Sequence, residues 1–262
     1  MSLEYLATKN SHVRDFNVSF KDDGHIYTVK HSKCPEGDAG FTSVTTFIHT
    51  LYEGFNADKI IDKMMASQKW SANKYYGMTK KQIKKQWSDN GKVASTAGTK
   101  MHYDIECCYN GMVVENYSVE YNYFLNFKHD FQHLVPYRTE WIIYHEELRF
   151  AGSIDMVFMN SDGIIEIYDW KRVKEILPND KWGKWLTNQI VSHLPDTNYW
   201  HYALQLNVYK AILIEKYGMN IGRLYLVSLH PDNTSYNRIE VPNLQNEVQQ
   251  LFTERRASIA CN

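Results

Sequence analysis

The stretch "RFAGSIDMVFMNSDGIIEIYDWKR", Arg149 to Arg172, constrains the fold of this chain more than any other. Two runs of apolar and aromatic residues flank Ser161, Asp162 and Gly163. That is the pattern of an antiparallel hairpin with a three-residue loop whose last position takes a positive φ. With this loop Asn160 faces Ile164, Asp155 faces Asp169, and Ser153 faces Lys171. A two-residue loop would turn Asp155 to the opposite face, so the register decides the chemistry. In the three-residue register two carboxylates stand with Cβ atoms roughly 5 Å apart, next to a lysine, on strands otherwise suited to an interior. Facing carboxylates drive one of the pair towards its neutral form. Two arrangements relieve this: an ion pair between Lys171 and either aspartate, or a divalent cation shared by the carboxylates. All-oxygen ligation suits Mg²⁺ or Mn²⁺, and the Trp170 backbone carbonyl lies between Asp169 and Lys171 as a further candidate ligand.

Around the hairpin the chain reads as one α/β unit. Residues 15–30 alternate about "DDG" and predict a hairpin; "KCPEGDAG" predicts a loop; "TSVTTFIHTLY" predicts a helix capped by Thr42 or Ser43. Helices are expected from Asn56, from Thr79 to about Gly91, from Ser95 to about Gly111, and from Val119. Three strands follow from Tyr137, then a long helix from Thr197 ended by Gly218, a strand from Gly222 and a closing helix. The fold class is therefore a central mixed sheet flanked by helices, behind an N-terminal helical portion. The expected organisation is a single domain over 1–262, with hairpin and helices in 1–94 and the core in roughly 95–262.

Composition excludes several classes. The net charge is −1, so the chain as a whole is not basic, although a local basic groove is compatible with that sum. The four cysteines form no CxxC and predict neither a zinc site, an iron–sulfur cluster nor a disulfide framework. The N-terminus lacks the apolar core of a signal peptide, and no apolar run reaches membrane-spanning length. The expectation is an intracellular protein, cytoplasmic or nuclear, without a membrane partner.

Two helical pairs accompany the hairpin. His102 and Glu106 in "GTKMHYDIE" are four apart on one face, with Gly98 on the same face allowing close approach of another element. Gln205 and Tyr209 in "QLNVY" repeat that spacing. The order GxxxH, GxxD, DxK, QxxxY, carried by Gly98 and His102, Gly152 and Asp155, Asp169 and Lys171, and Gln205 and Tyr209, resembles the RecB-type branch of the PD-(D/E)XK nuclease superfamily. The resemblance spans roughly 95–230 and implies a restriction-endonuclease-like core. The compact layout is similar to mitochondrial genome-maintenance exonucleases and phage recombination exonucleases. No four-cysteine set of the CRISPR-associated members and no GxxxxGK[ST] helicase motif is present.

The resemblance implies a metal-dependent deoxyribonuclease, an exonuclease acting on DNA ends or single strands in replication, repair or recombination. His102, Asp155 and Asp169 would bind one or two Mg²⁺ or Mn²⁺ ions, with Lys171 supporting the nucleophilic water or the transition state. Glu106 would stand behind His102 or Lys171. Glu140, which opens the strand before the hairpin, would reach the metal or remain an exposed strand-end charge. Gln205 and Tyr209 would position DNA. Arg172, Lys174, Lys80, Lys81, Lys84 and Lys85 are candidate phosphate contacts, and Trp182, Trp185, Tyr199 and Trp200 candidate stacking residues, unless those aromatics form a packed flap. Implied partners are DNA and replication or recombination proteins. Two other readings stand beside this one: a catalytically silent nucleic-acid-binding domain that kept the fold, and a sugar hydrolase using the paired carboxylates.

Overall fold

The structure is a computed structural model that describes residues 2–179 and 183–260. In chain order the elements are α1 (Tyr5–Lys9), β1 (Val18–Lys21), β2 (Ile26–His31), β3 (Cys34–Asp38), β4 (Thr42–Ser43), α2 (Val44–His49), α3 (Ala57–Met65), α4 (Lys80–Tyr109), α5 (Val119–Asp130), β5 (Val135–His145), β6 (Phe150–Met159), β7 (Ile165–Lys171), α6 (Asn198–Tyr217), β8 (Ile221–Ser228), β9 (Asn237–Glu240) and α7 (Gln245–Ala260). A mixed central sheet runs β4-β6-β7-β8-β9, with β5 on the other edge of β6, and β1-β2-β3 form a second sheet. Helices flank the central sheet, as the alternation of helix and strand signals predicts. No helix among the described residues is long and apolar enough to cross a membrane.

Local signals account for most boundaries. Ser43, Asn56 and Thr79 cap α2, α3 and α4 with their side chains, and Gln82 completes a capping box with Thr79. Gly218, at φ +65°, ends α6 in the left-handed conformation. Two expectations are corrected. "KCPEGDAG" is not all loop: Cys34–Asp38 pairs with β2 as an edge strand. The helices expected on either side of Gly91 are one 30-residue helix, longer than the 20-residue α6. A lone glycine costs a helix roughly 1 kcal/mol but stops it only if it takes a capping conformation, and Gly91 has no positive φ.

Two cores sandwich the sheet. On one face Ile165, Ile167, Leu224 and Leu226 pack with α2, α6 and α7. On the other, Met156, Phe158, Tyr168, Trp170 and Tyr225 pack with Met101, Ile105 and Tyr109 of α4 and Tyr121, Phe124 and Phe127 of α5. The second core is largely aromatic; Phe124 and Phe127 meet the Trp170 ring edge to face at 5.9 and 5.2 Å.

Candidate functional site

The hairpin adopts the three-residue register. Asn160 N donates to Ile164 O, Gly163 takes φ +75°, and Met156 pairs with Tyr168. Extending that register places Asp155 opposite Asp169. The ladder itself closes at Met156 and Tyr168, and β7 continues to Lys171 paired only with β8. On the same edge of β6, the short strand β4 pairs with Phe150 and Ala151. Residues 152–155 of β6 thus face a split between β4 and β7. At the mouth of the split Trp170 N donates to Asp155 Oδ2 at 2.9 Å, a carboxylate standing in for the missing backbone partner.

The other edge of β6 is disturbed at the same level. Pairing with β5 holds at Thr139–Met156 and at Trp141–Ile154, but Glu140 and Asp155 between them leave the ladder. Glu140 takes φ +41°, a conformation that costs a non-glycine residue of order 1–3 kcal/mol and recurs at functional sites. Face alternation shifts here too. Ile154 packs with Trp141 and Ile143 in the α6-side core, whereas Met156 packs in the aromatic core; strict alternation would put both on one face.

The break turns Glu140 and Asp155 towards α4. His102 Nε2 donates to Trp170 O at 2.9 Å, which aims Nδ1 at the carboxylates, 3.5 Å from Asp155 Oδ2 and 3.7 Å from Glu140 Oε1. Ser153 Oγ donates to Glu140 Oε2 and steadies it. His102, Glu140 and Asp155 each offer a ligand atom within 4.8 Å of the others. Burial works against charge on His102, but Asp155 and Glu140 outweigh it and raise the imidazole to about 9. Asp155 is pushed up by burial and by Glu140.

Asp169 and Lys171 lie beside this cluster. Lys171 Nζ stands 2.7 Å from Asp169 Oδ2 and over the Tyr202 ring at 4.4 Å. The ion pair expected as the plain alternative therefore forms. Burial raises the Asp169 carboxyl to about 6 despite the lysine. Lys171 is itself buried, yet Asp169 and Asp155 raise its pKa, so the ammonium keeps its proton. Asp169 Oδ2 has no aligned hydrogen bond although it is buried.

The sequence-predicted residues divide between the site and its surroundings. His102, Asp155, Asp169 and Lys171 come together. The Trp170 carbonyl is at the site but engaged by His102, so it orients the imidazole. Glu140 is not a strand-opening charge: it sits mid-way along β5, with its carboxylate on the His102 cluster. A lone carboxylate within "YRTEWIIYH" was the available signal. Glu106 hydrogen-bonds neither His102 nor Lys171; burial and the nearby Glu140 raise it to about 7.

Gln205 Nε2 donates to Tyr209 OH, and the buried Tyr209 ring lies against Gly152, where a Cβ would fall 2.7 Å from its Cε1. Gly152 is thus required by close approach, and Tyr209 backs the split without reaching the surface. Gly98 is the reverse. A Cβ there would meet nothing within 4 Å, so the element expected to approach it is absent among the described residues.

The candidate phosphate contacts are mostly paired: Arg172 with Glu120, Lys174 with Asp232, Lys80 with Asp62, Lys84 with Asp58 and Lys85 with Asp89. Trp182 lies outside the described residues. Trp185 is exposed, whereas Tyr199 and Trp200 are half-buried against the α6-side core.

No family model matches the chain, and no curated protein does. A solved structure described as "Crystal structure of SSO0001" aligns over 99% of this chain and 86% of its own at 12% identity, with a TM-score of 0.29. That likeness is too distant to bear on fold or function.

Proposed function

We propose that the chain is a metal-dependent nuclease that hydrolyses DNA phosphodiester bonds, as its resemblance to the RecB-type PD-(D/E)XK nucleases implies. The observation that carries the reading is the convergence of His102, Glu140 and Asp155, from three separate elements, beside the Asp169–Lys171 pair. The donor set suits a hard divalent cation: one imidazole nitrogen and two carboxylates that otherwise crowd each other. His102 would offer Nδ1 while Nε2–H stays on Trp170 O, the usual support for a ligating histidine. Asp155 and Glu140 would complete the set, with Asp169, whose Oδ2 pairs with Lys171, across the split. A bound Mg²⁺ or Mn²⁺ would lower the pKa of a water and neutralise charge on the scissile phosphate.

The chain's own residues supply the rest. Lys171 presents a positive charge for a phosphate oxygen and is placed to orient a water. Tyr202 and Asp169 fix its ammonium. Digestion of end-labelled linear and circular DNA, single- and double-stranded, with Mg²⁺, Mn²⁺ or EDTA tests the reading. Cleavage is expected only with metal, and Lys171→Ala should lower its rate on the order of 10³-fold while DNA is still bound. Metal-independent cleavage, or full activity of Lys171→Ala, would refute it.

A further inference from the structure

The segment 56–94, covering α3 and the first half of α4, carries nine lysines against three aspartates, net +6, whereas the whole chain is −1 and the remainder therefore −7. The three aspartates are all engaged by Lys80, Lys84 and Lys85, and Lys59 pairs with Glu53. Lys63, Lys69, Lys81 and Lys92 keep no carboxylate partner among the described residues.

This charge sits on a helix with little protein around it. From Ser88 to Thr96 every residue of α4 is exposed, and Ile83 is the one buried residue in the helix's first five turns. A free helix that length is marginal in water, and glycine weakens it further. Yet Gly91 lies here and the half-buried Gly98 two residues beyond, and a Cβ on either would meet nothing within 4 Å. Protein packing therefore does not explain them. At 3.6 residues per turn Ser88, Gly91, Ser95 and Gly98 fall within about 40° of His102, and Lys81 and Lys92 lie about 60–80° to one side. A strip of small side chains bordered by unpaired lysines thus runs along one helix to the imidazole. From Ser88 to His102 it extends about 21 Å, the length of about six phosphates at 3.4 Å each, and Lys84, paired with Asp58, continues its line towards Lys81.

We infer that this strip of α4 is the docking track for a polynucleotide strand, with Lys81 and Lys92 on its phosphates and its far end at His102. The inference deepens the nuclease reading and rests on it for the kind of polyanion. Both lysines are exposed and unpaired, so Lys81→Ala/Lys92→Ala leaves the fold intact.

The test measures binding of a fluorescent single-stranded 30-mer in EDTA across a range of KCl concentrations. The slope of log affinity against log salt should fall by about 1.4, and affinity at 0.1 M salt on the order of twenty-fold. Lys81→Arg/Lys92→Arg should restore both, and Lys33→Ala, at an exposed lysine of the β2–β3 turn, should change neither. Metal-dependent hydrolysis of bis(p-nitrophenyl) phosphate, too small to touch the strip, should be unchanged in the double variant. An unchanged slope, an equal loss at Lys33→Ala, or polyglutamate binding as tightly as the 30-mer would overturn the track. Failure to cleave the small ester, with the slope falling as expected, would sink the nuclease reading and leave the track standing.

Discussion

Between Met156 and Met159 strand β6 is paired on both edges and buries Met156 and Phe158 in an aromatic core. One residue earlier the same strand loses its partner on one edge, skips a ladder pair on the other, and surrounds itself with carboxylates, an imidazole and an ammonium. The closed half is held mainly by dispersion and apolar burial, and its buried Glu166 and Arg138 are paired within the protein, so it needs no ligand. The open half holds groups that repel, and its geometry is imposed from outside: by β4 ending at Ser43, by Glu140 at positive φ, and by Tyr209 wedged against Gly152. A site of this kind depends on the rigidity of the half beside it.

Opposite substitutions break that comparison most sharply. Phe158→Ala should cost about 3–5 kcal/mol of stability by denaturant unfolding, equally with and without divalent metal. Asp155→Asn keeps an acceptor for Trp170 N and removes one of the crowded negative charges. It should leave stability in EDTA equal to or above wild type while abolishing metal-induced stabilisation. If Asp155→Asn unfolds the protein and Phe158→Ala does not, the two halves have been assigned the wrong roles.

A second effect separates them by pH. Asp169 rises from an ordinary 3.8 to about 6 in the folded chain through burial. The metal-free native state then holds more protons than the unfolded state between those values, and this group's contribution to stability falls as pH rises through them. Asp169→Asn removes that contribution. Its stability relative to wild type should climb by up to about 3 kcal/mol from pH 4 to 7 in EDTA. A pH-independent difference in unfolding free energy would mean that the carboxyl is ionised at its ordinary pKa.

Much of this was legible in the residues. "NSDG" determined the hairpin register, because Gly163 fits one loop length, and with it the pairing of Asp155 and Asp169. The caps at Ser43, Asn56 and Thr79 and the stop at Gly218 followed from side-chain chemistry. What was hidden depended on elements distant in sequence. Nothing in "TSV" announces a two-residue strand that forces β6 open, and nothing in "TEW" announces a positive φ. His102 reaches the cluster from a helix packed on the aromatic face, through a break in alternation that a strand pattern cannot show. Gly91 looked like a stop because local preference favours one; α4 runs through it, supported at both ends by Ile83 and Met101.

The smallest effect concerns that helix. Gly98→Ala should raise stability by about 0.5–1 kcal/mol, since the position is helical and open. Destabilisation in thermal or denaturant unfolding would mean that another element approaches Gly98 after all.

The central claim is that His102, Glu140 and Asp155 converge on one cation, and anomalous diffraction from Mn²⁺-soaked crystals tests it most directly. The account predicts a manganese peak bonded to His102 Nδ1 and to an oxygen of each carboxylate, lost in crystals of His102→Ala. Saturating Mn²⁺ with no peak between these three side chains would contradict it.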